Sequence, residues 1–148
     1  MMIHLGSLRL HAKVSVLSSK RILVVDDDKE VRAAVAALLQ SIGFDVTGVE
    51  GADAAIALLA NFHPDAVLTD IHMAGGDGFE LMNAIRNQGL DIPIIAMSGG
   101  SSGGSDTDYL ELARKLGAVA VIDKPFRGSH LAEAIDRAIA KRGGPSRS

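Results

Sequence analysis

Short apolar runs alternate with helical repeats along positions 20–142. Four apolar runs, at 22–25, 66–69, 92–97 and 118–122, are too short for helices, and a weaker run of the same kind lies at 45–49. Between them, apolar residues recur every three or four positions, the period of an amphipathic helix. The pattern predicts helices within 31–42, 52–59, 78–87 and 131–139, and a further helix starting at Ser105, where Asp108 stands three residues on as in a capping box.

The strong strand-like runs are apolar throughout rather than alternating. Such strands are buried on both faces, and regular alternation of strands with helices is typical of an open parallel sheet covered on both sides. The sequence therefore predicts one α/β domain with a doubly wound, five-stranded parallel sheet. In such a sheet the ligand site lies beyond the carboxyl ends of the strands, where the strand order reverses.

The two ends of the chain differ from this domain, to which we assign residues 20–142. Between positions 8 and 16, apolar and polar residues alternate with the period of a strand. We interpret residues 1–19 as a leader that does not pack on the domain, with an extra edge strand or a self-association segment as the alternative. Residues 143–148 are expected to form a flexible tail.

Composition narrows the classes of function. The 148 residues carry 15 Lys and Arg against 18 Asp and Glu, a formal net charge of −3, which gives no electrostatic footprint for nucleic acid or an anionic membrane. Without cysteine there is neither a disulfide scaffold nor a cysteine-based zinc site. No apolar run approaches the ~18 residues of a membrane span, and the start lacks a secretory signal. We therefore expect a cytoplasmic protein that binds neither nucleic acid nor membranes directly.

Polar residues stand at the predicted strand ends. They are Asp26, Asp27, Asp28, Asp70, Ser98 and Lys124. If the first and third strands are neighbours, their acidic side chains converge, which is unfavourable unless a cation compensates. Carboxylates with a main-chain carbonyl and waters suit Mg²⁺, which commonly completes its shell with phosphate oxygens. A hydroxyl and an ammonium group also suit phosphoryl oxygens, so the pattern predicts a site for phosphoryl chemistry.

Four motifs together resemble the receiver domain of two-component response regulators, from about Arg21 to Arg142. They are Ile22-Leu23-Val24-Val25-Asp26-Asp27-Asp28, Asp70 followed by Gly75-Gly76-Asp77-Gly78, Pro93-Ile94-Ile95-Ala96-Met97-Ser98, and Lys124-Pro125-Phe126. Each motif is weak alone, but their order and spacing match the family. The resemblance implies a flavodoxin-like fold with strand order 2-1-3-4-5, and a phosphoacceptor protein rather than an enzyme.

The resemblance also implies roles for the residues at the strand ends. These are Asp70 as the phosphoacceptor, Asp26, Asp27 and Asp70 with the main-chain carbonyl of His72 as Mg²⁺ ligands, and Ser98 and Lys124 as contacts of the phosphoryl group. It implies a cis peptide bond before Pro125, which would aim Lys124 into the site. The implied partner is a sensor histidine kinase or a histidine phosphotransfer protein, and a homodimer is compatible with it.

Four features depart from the family pattern. Ala74 stands where a proline is usual, and His72 occupies the variable position two residues beyond the acceptor. The glycine-rich loop at 99–104 is longer than usual. Val121 stands three residues before Lys124, where the family often has an aromatic residue that reports phosphorylation. We therefore expect the signal to travel through the loop at 99–104 instead.

Several readings of function stay open from sequence alone. Because only residues 143–148 follow the last helix, we expect a stand-alone receiver whose output is protein contact or phosphate relay. The rival is a Mg²⁺-dependent phosphatase of the haloacid dehalogenase type, with Asp26 as nucleophile and Asp28 as acid, although Asp70 then has no role. A phosphorylation-independent adaptor with a vestigial site is a third reading. His63 and His130, like the other histidines apart from His72, are interpreted as surface residues.

Overall fold

The computed structural model describes residues 20–71, 78–98, 106–123 and 127–142, along which five strands alternate with five helices. The strands are β1 (Arg21–Val25), β2 (Asp45–Val49), β3 (Ala66–Asp70), β4 (Ile94–Ser98) and β5 (Ala118–Asp123). The helices are α1 (Lys29–Ile42), α2 (Ala52–Leu59), α3 (Gly78–Asn87), α4 (Asp106–Lys115) and α5 (Gly128–Arg142). Among these helices, none has the length and apolar character to cross a membrane.

The strands form one parallel sheet in the order β2-β1-β3-β4-β5. This confirms the predicted doubly wound α/β fold and its strand order. The order reverses at β1, which lies between β2 and β3, and Val25 of β1 is opposite Thr69 of β3. The residues that follow β1 and the last residue of β3 therefore meet at one edge of the sheet.

Successive residues of each central strand enter different halves of the core. Leu23 and Val25 of β1 pack in a cluster with α2, α3 and α4, whereas Ile22 and Val24 pack in a second cluster with α1 and α5. All four side chains have no exposed surface. A strand covered by helices on both faces needs an apolar residue at every position, which explains the uninterrupted runs in the sequence.

Helix α1 begins immediately after the acidic end of β1. Asp28 is its N-cap, and the carboxylate of Asp28 accepts hydrogen bonds from the N–H groups of Glu30 at 3.0 Å and Val31 at 3.2 Å. Gly43 ends the helix with φ of 112°, a left-handed conformation that favours glycine. The Asp28 side chain is therefore committed to the helix start, which separates it from the other two aspartates of the run.

The predicted start of β4 was wrong by two residues. Strand β4 begins at Ile94 rather than at position 92, because Pro93 has no N–H to donate to the sheet. Helix α1 begins at Lys29, ahead of the first apolar residue of its repeat, because the Asp28 cap sets its start.

The structure tests only some of the remaining predictions. His63 and His130 are exposed, which confirms them as surface residues, and Val121 is half-buried against the cluster that contains α2 and α3. The predictions for the segments 1–19 and 143–148, for the loop at 99–104 and for the cap at Ser105 concern residues outside the described ones.

Candidate functional site

Three carboxylates converge where β1 and β3 end. Oxygen atoms of Asp26, Asp27 and Asp70 all lie within 4.8 Å of one another. Asp26 is fully buried, Asp70 is 6% exposed and Asp27 is exposed to solvent. Like charges at this spacing repel one another, which favours the binding of a cation between them. The structure thus brings together the three acidic residues that the sequence predicted as metal ligands.

Hydrogen bonds on both sides hold Asp26 in place. Its N–H donates to the carbonyl oxygen of Val49 on β2, at 3.2 Å. Its Oδ1 atom accepts from the N–H of Asp28 at 2.9 Å, and its carbonyl oxygen accepts from Nη1 of Arg32 at 2.8 Å. Because Asp28 also caps α1, the end of β1 and the start of α1 form one fixed corner that sets the direction of the buried carboxylate.

Asp70 ends β3 in a position fixed from two sides. It lies opposite Met97 of β4, and the next residue, Ile71, donates its N–H to the Met97 carbonyl at 3.1 Å. Gly78, the first residue of α3, donates its N–H to the Ile71 carbonyl at 3.2 Å. A Cβ atom at position 78 would overlap the carbonyl oxygen of Asp70, so any larger residue at the start of α3 would force the backbone to shift.

Two hydroxyl residues flank the Asp70 position. Ser98 ends β4 and is 3% exposed, one residue beyond the Met97 that pairs with Asp70. Thr69 is fully buried, and its hydroxyl donates to the carbonyl oxygen of Asp70 at 3.0 Å. The pattern of polar strand ends predicted Ser98 as a site residue but gave no signal for Thr69. Ser98 thus lies at the carboxyl edge of the sheet, the position from which it could contact a group on Asp70.

Several predicted site features lie outside the described residues. These are the main-chain carbonyl of His72, the ammonium group of Lys124 and the peptide bond before Pro125. Strand β5 ends at Asp123, so Lys124 directly follows the carboxyl end of the strand next to β4. Their placement stays a prediction.

Arg32 is a contact that the sequence analysis missed. Its guanidinium group reaches back to the Asp26 carbonyl from the fourth residue of α1. The only signal in the sequence is a basic residue six positions after Asp26. This spacing predicts a contact only once Asp28 is known to cap the helix, because the cap fixes where α1 begins.

The three carboxylates fit a magnesium ion better than a softer metal. All donors in the cluster are carboxylate oxygens, the ligand type that Mg²⁺ prefers, and no histidine belongs to this cluster among the residues described. Mg²⁺ usually retains several waters and binds through few carboxylates plus substrate phosphates. The exposed Asp27 leaves one side of the cluster open for such ligands.

Comparison with known proteins supports the same class of site. The sequence matches the response regulator receiver domain family over residues 22–136. It is 36% identical over 118 residues to the transcriptional regulatory protein FixJ of Bradyrhizobium diazoefficiens, covering 80% of this chain and 56% of FixJ. It is 35% identical over 133 residues to the transcriptional regulatory protein PrrA of Mycobacterium tuberculosis, covering 89% of this chain and 55% of PrrA.

The fold is similar to that of solved response regulators. The crystal structure of NtrX from Brucella abortus in complex with ATP superposes with a TM-score of 0.77 and 30% sequence identity, covering 84% of this chain and 28% of that chain.

The chain therefore belongs to the response regulator receiver domain family, as its motifs predicted. Receiver domains act as phosphoacceptors in two-component signalling; they bind Mg²⁺ in an acidic pocket and are phosphorylated by sensor histidine kinases. The comparisons do not support the haloacid dehalogenase alternative. The chain spans about half the length of the curated relatives FixJ and PrrA.

Proposed function

We propose that Asp70 of this chain accepts a phosphoryl group from a phosphohistidine of a sensor kinase or a histidine phosphotransfer protein. The observation that carries the proposal is the cluster of Asp26, Asp27 and Asp70, with oxygens within 4.8 Å, at the switch point of a receiver fold. In the transfer, a carboxylate oxygen of Asp70 forms a bond to phosphorus while the bond from phosphorus to the imidazole nitrogen breaks. The product is an acyl phosphate on Asp70.

Each acidic residue has a separate task in this proposal. Asp26, Asp27 and Asp70, with the main-chain carbonyl of His72, would hold Mg²⁺, which when bound neutralises charge on the phosphoryl oxygens. The buried carboxylate of Asp26 keeps its orientation through the N–H of Asp28. Asp27 is exposed on the side from which a donor protein can approach.

Ser98 and Lys124 complete the proposed phosphoryl contacts. The buried Ser98 ends the strand beside β3 and can donate its hydroxyl to a phosphoryl oxygen. The ammonium group of Lys124, which follows the adjacent strand, supplies a compact positive charge. Closure of these two groups on the phosphoryl group gives the phosphorylated state a different local arrangement, which partners can recognise.

The output of the domain is also part of the proposal. We assign it to protein contact or phosphate relay in the cytoplasm, by a receiver that acts on its own. The formal net charge of −3 supports the view that these residues do not bind DNA themselves. The relatives FixJ and PrrA are longer transcriptional regulatory proteins.

Intact-mass measurement tests the proposal. Incubation with acetyl phosphate and Mg²⁺ should add one phosphate to the wild-type protein, and none to Asp70→Asn or when EDTA replaces Mg²⁺. The matched variant Asp26→Asn removes a neighbouring carboxylate of the cluster. Phosphate that is still added to Asp70→Asn but not to Asp26→Asn would contradict the proposal and favour the phosphatase hypothesis, in which Asp26 is the nucleophile.

A further inference from the structure

Arg32 connects α1 to the backbone of the acidic cluster. Its Nη1 atom donates to the carbonyl oxygen of Asp26 at 2.8 Å, in a partly buried position. That carbonyl belongs to the peptide group between Asp26 and Asp27, the two carboxylates contributed by the end of β1. The hydrogen bond therefore fixes the peptide plane from which both of these residues present their side chains.

The path of the Arg32 side chain is confined by β2. A Cβ atom at Gly48 would lie 3.1 Å from Cγ and 3.3 Å from Cδ of Arg32. Gly48 pairs with Val24 in the β1–β2 ladder, and the next residue of β2, Val49, accepts the hydrogen bond from the N–H of Asp26. The absence of a side chain at position 48 thus leaves the space that the arginine stem occupies on its way to Asp26.

We propose that Arg32 is a positioning residue of the magnesium site, which holds the Asp26–Asp27 peptide so that both carboxylates face the same cation as Asp70. This role rests on the proposed function, because it requires the cluster to bind Mg²⁺. Mg²⁺ demands near-ideal octahedral geometry, so a small reorientation of its carboxylates weakens binding. Groups that orient metal ligands typically contribute about 10-fold to 100-fold to metal affinity.

The charge of Arg32 acts in the opposite direction from its positioning effect. A guanidinium beside the cluster repels an incoming Mg²⁺, and loss of a partly screened charge by itself would strengthen metal binding about twofold to fivefold. The sign of the change in affinity therefore separates the two effects. Weaker binding after removal of Arg32 means that positioning dominates.

The test is the Mg²⁺ dissociation constant of the unphosphorylated protein, measured by isothermal titration calorimetry. In Arg32→Met, which keeps an apolar stem but loses the guanidinium, we expect Mg²⁺ to bind about tenfold more weakly. This is the low end of the effect expected for a group that orients a metal ligand, because the loss of the positive charge offsets part of the weakening. Arg32→Lys keeps a charge and a donor, so it should recover part of the affinity. The control Arg137→Met removes a 77%-exposed arginine that pairs with Glu133 on α5, and should leave the constant unchanged.

Gly48→Ala changes the position of the stem without changing any charge. The added Cβ requires the Arg32 stem to move by a few tenths of an ångström. Binding of Mg²⁺ should therefore weaken about twofold to threefold in Gly48→Ala, with no further loss when the substitution is added to Arg32→Met. If Arg32 acted only through its charge, Gly48→Ala would bind Mg²⁺ like the wild type.

The outcomes keep this role separate from the proposed function. Thermal unfolding without Mg²⁺ establishes whether each variant is folded. If Arg32→Met does not fold, Mg²⁺ binding by Gly48→Ala tests the positioning role instead. Unchanged or tighter Mg²⁺ binding in folded Arg32→Met, or wild-type binding in Gly48→Ala, overturns the positioning role. A wild-type protein that binds no Mg²⁺ overturns the proposed metal site instead.

Discussion

Replacement of Gly78 by alanine measures how closely α3 must approach the strand that carries Asp70. The new Cβ would overlap the Asp70 carbonyl oxygen and lie 3.2 Å from the Cα atom of Ile71 and 3.3 Å from the carbonyl carbon of Asp70. These are backbone atoms, and the Ile71 N–H bond to Met97 at 3.1 Å ties them to β4. The strain can be relieved only if the first turn of α3 moves away, which breaks the 3.2 Å bond from the Gly78 N–H to Ile71.

The expected cost of Gly78→Ala follows from two unfavourable effects and one favourable effect. Overpacking against fixed atoms costs about 1–3 kcal/mol, and the loss of the backbone hydrogen bond costs about 1 kcal/mol. The higher helix propensity of alanine offsets at most about 1 kcal/mol, and less at a helix end. We therefore expect a net loss of about 1–4 kcal/mol in the free energy of unfolding, or a Tm lowered by roughly 3–16 °C.

Thermal and urea unfolding check this value, with Gly51→Ala as the matched control. Gly51 caps α2 with an extended φ of −162°, and a Cβ there meets nothing within 4 Å. Because alanine is a poorer N-cap than glycine, its replacement should lower the free energy of unfolding by about 0.5–1 kcal/mol, less than the loss expected for Gly78→Ala. Folded Gly78→Ala should also accept phosphate from acetyl phosphate more slowly, because the Asp70 backbone is displaced. Wild-type stability in Gly78→Ala, or an equal loss in Gly51→Ala, would refute the close-approach argument.

Two further substitutions test the separate roles within the acidic run. Asp27→Ala should abolish Mg²⁺-dependent phosphorylation by acetyl phosphate. The Mg²⁺-free variant should keep or raise its Tm, because like charges are then less crowded. A Mg²⁺ affinity equal to that of the wild type in calorimetry would count against Asp27 as a ligand. Asp28→Ala removes the N-cap of α1 and should lower the free energy of unfolding by about 0.5–2 kcal/mol in urea, whereas Asp28→Asn should retain it. Equal loss in both Asp28 variants would argue against capping as the main role.

The fold and the acidic cluster could be predicted because both depend on regular patterns. A strand covered on both faces is apolar at every position, so β1 and β3 were recognisable from their residues alone. Once the strands are parallel and β1 neighbours β3, Asp26 and Asp70 must approach each other at one edge. No contact between distant side chains had to be known for this step.

The remaining features depend on contacts that local sequence does not encode. The Arg32 side chain reaches Asp26 through the space that Gly48 of β2 leaves by having no side chain. The helical repeat of α1 carries no information about that residue. Asp28 has the same side chain as Asp26 and Asp27, and only the helix start distinguishes it as a cap. The start of β4 was misplaced because Pro93 is apolar and continues the run, although it cannot donate a hydrogen bond.

Chemical trapping of the acyl phosphate tests most directly the central claim that Asp70 is the phosphoacceptor. The protein is treated with acetyl phosphate and Mg²⁺, and sodium borohydride then reduces the phosphorylated carboxyl group to the alcohol of homoserine, which peptide mass spectrometry locates. We predict homoserine at position 70 alone, and none when EDTA replaces Mg²⁺. Homoserine at position 26 or 27, or none at all in folded protein that binds Mg²⁺, would contradict the claim.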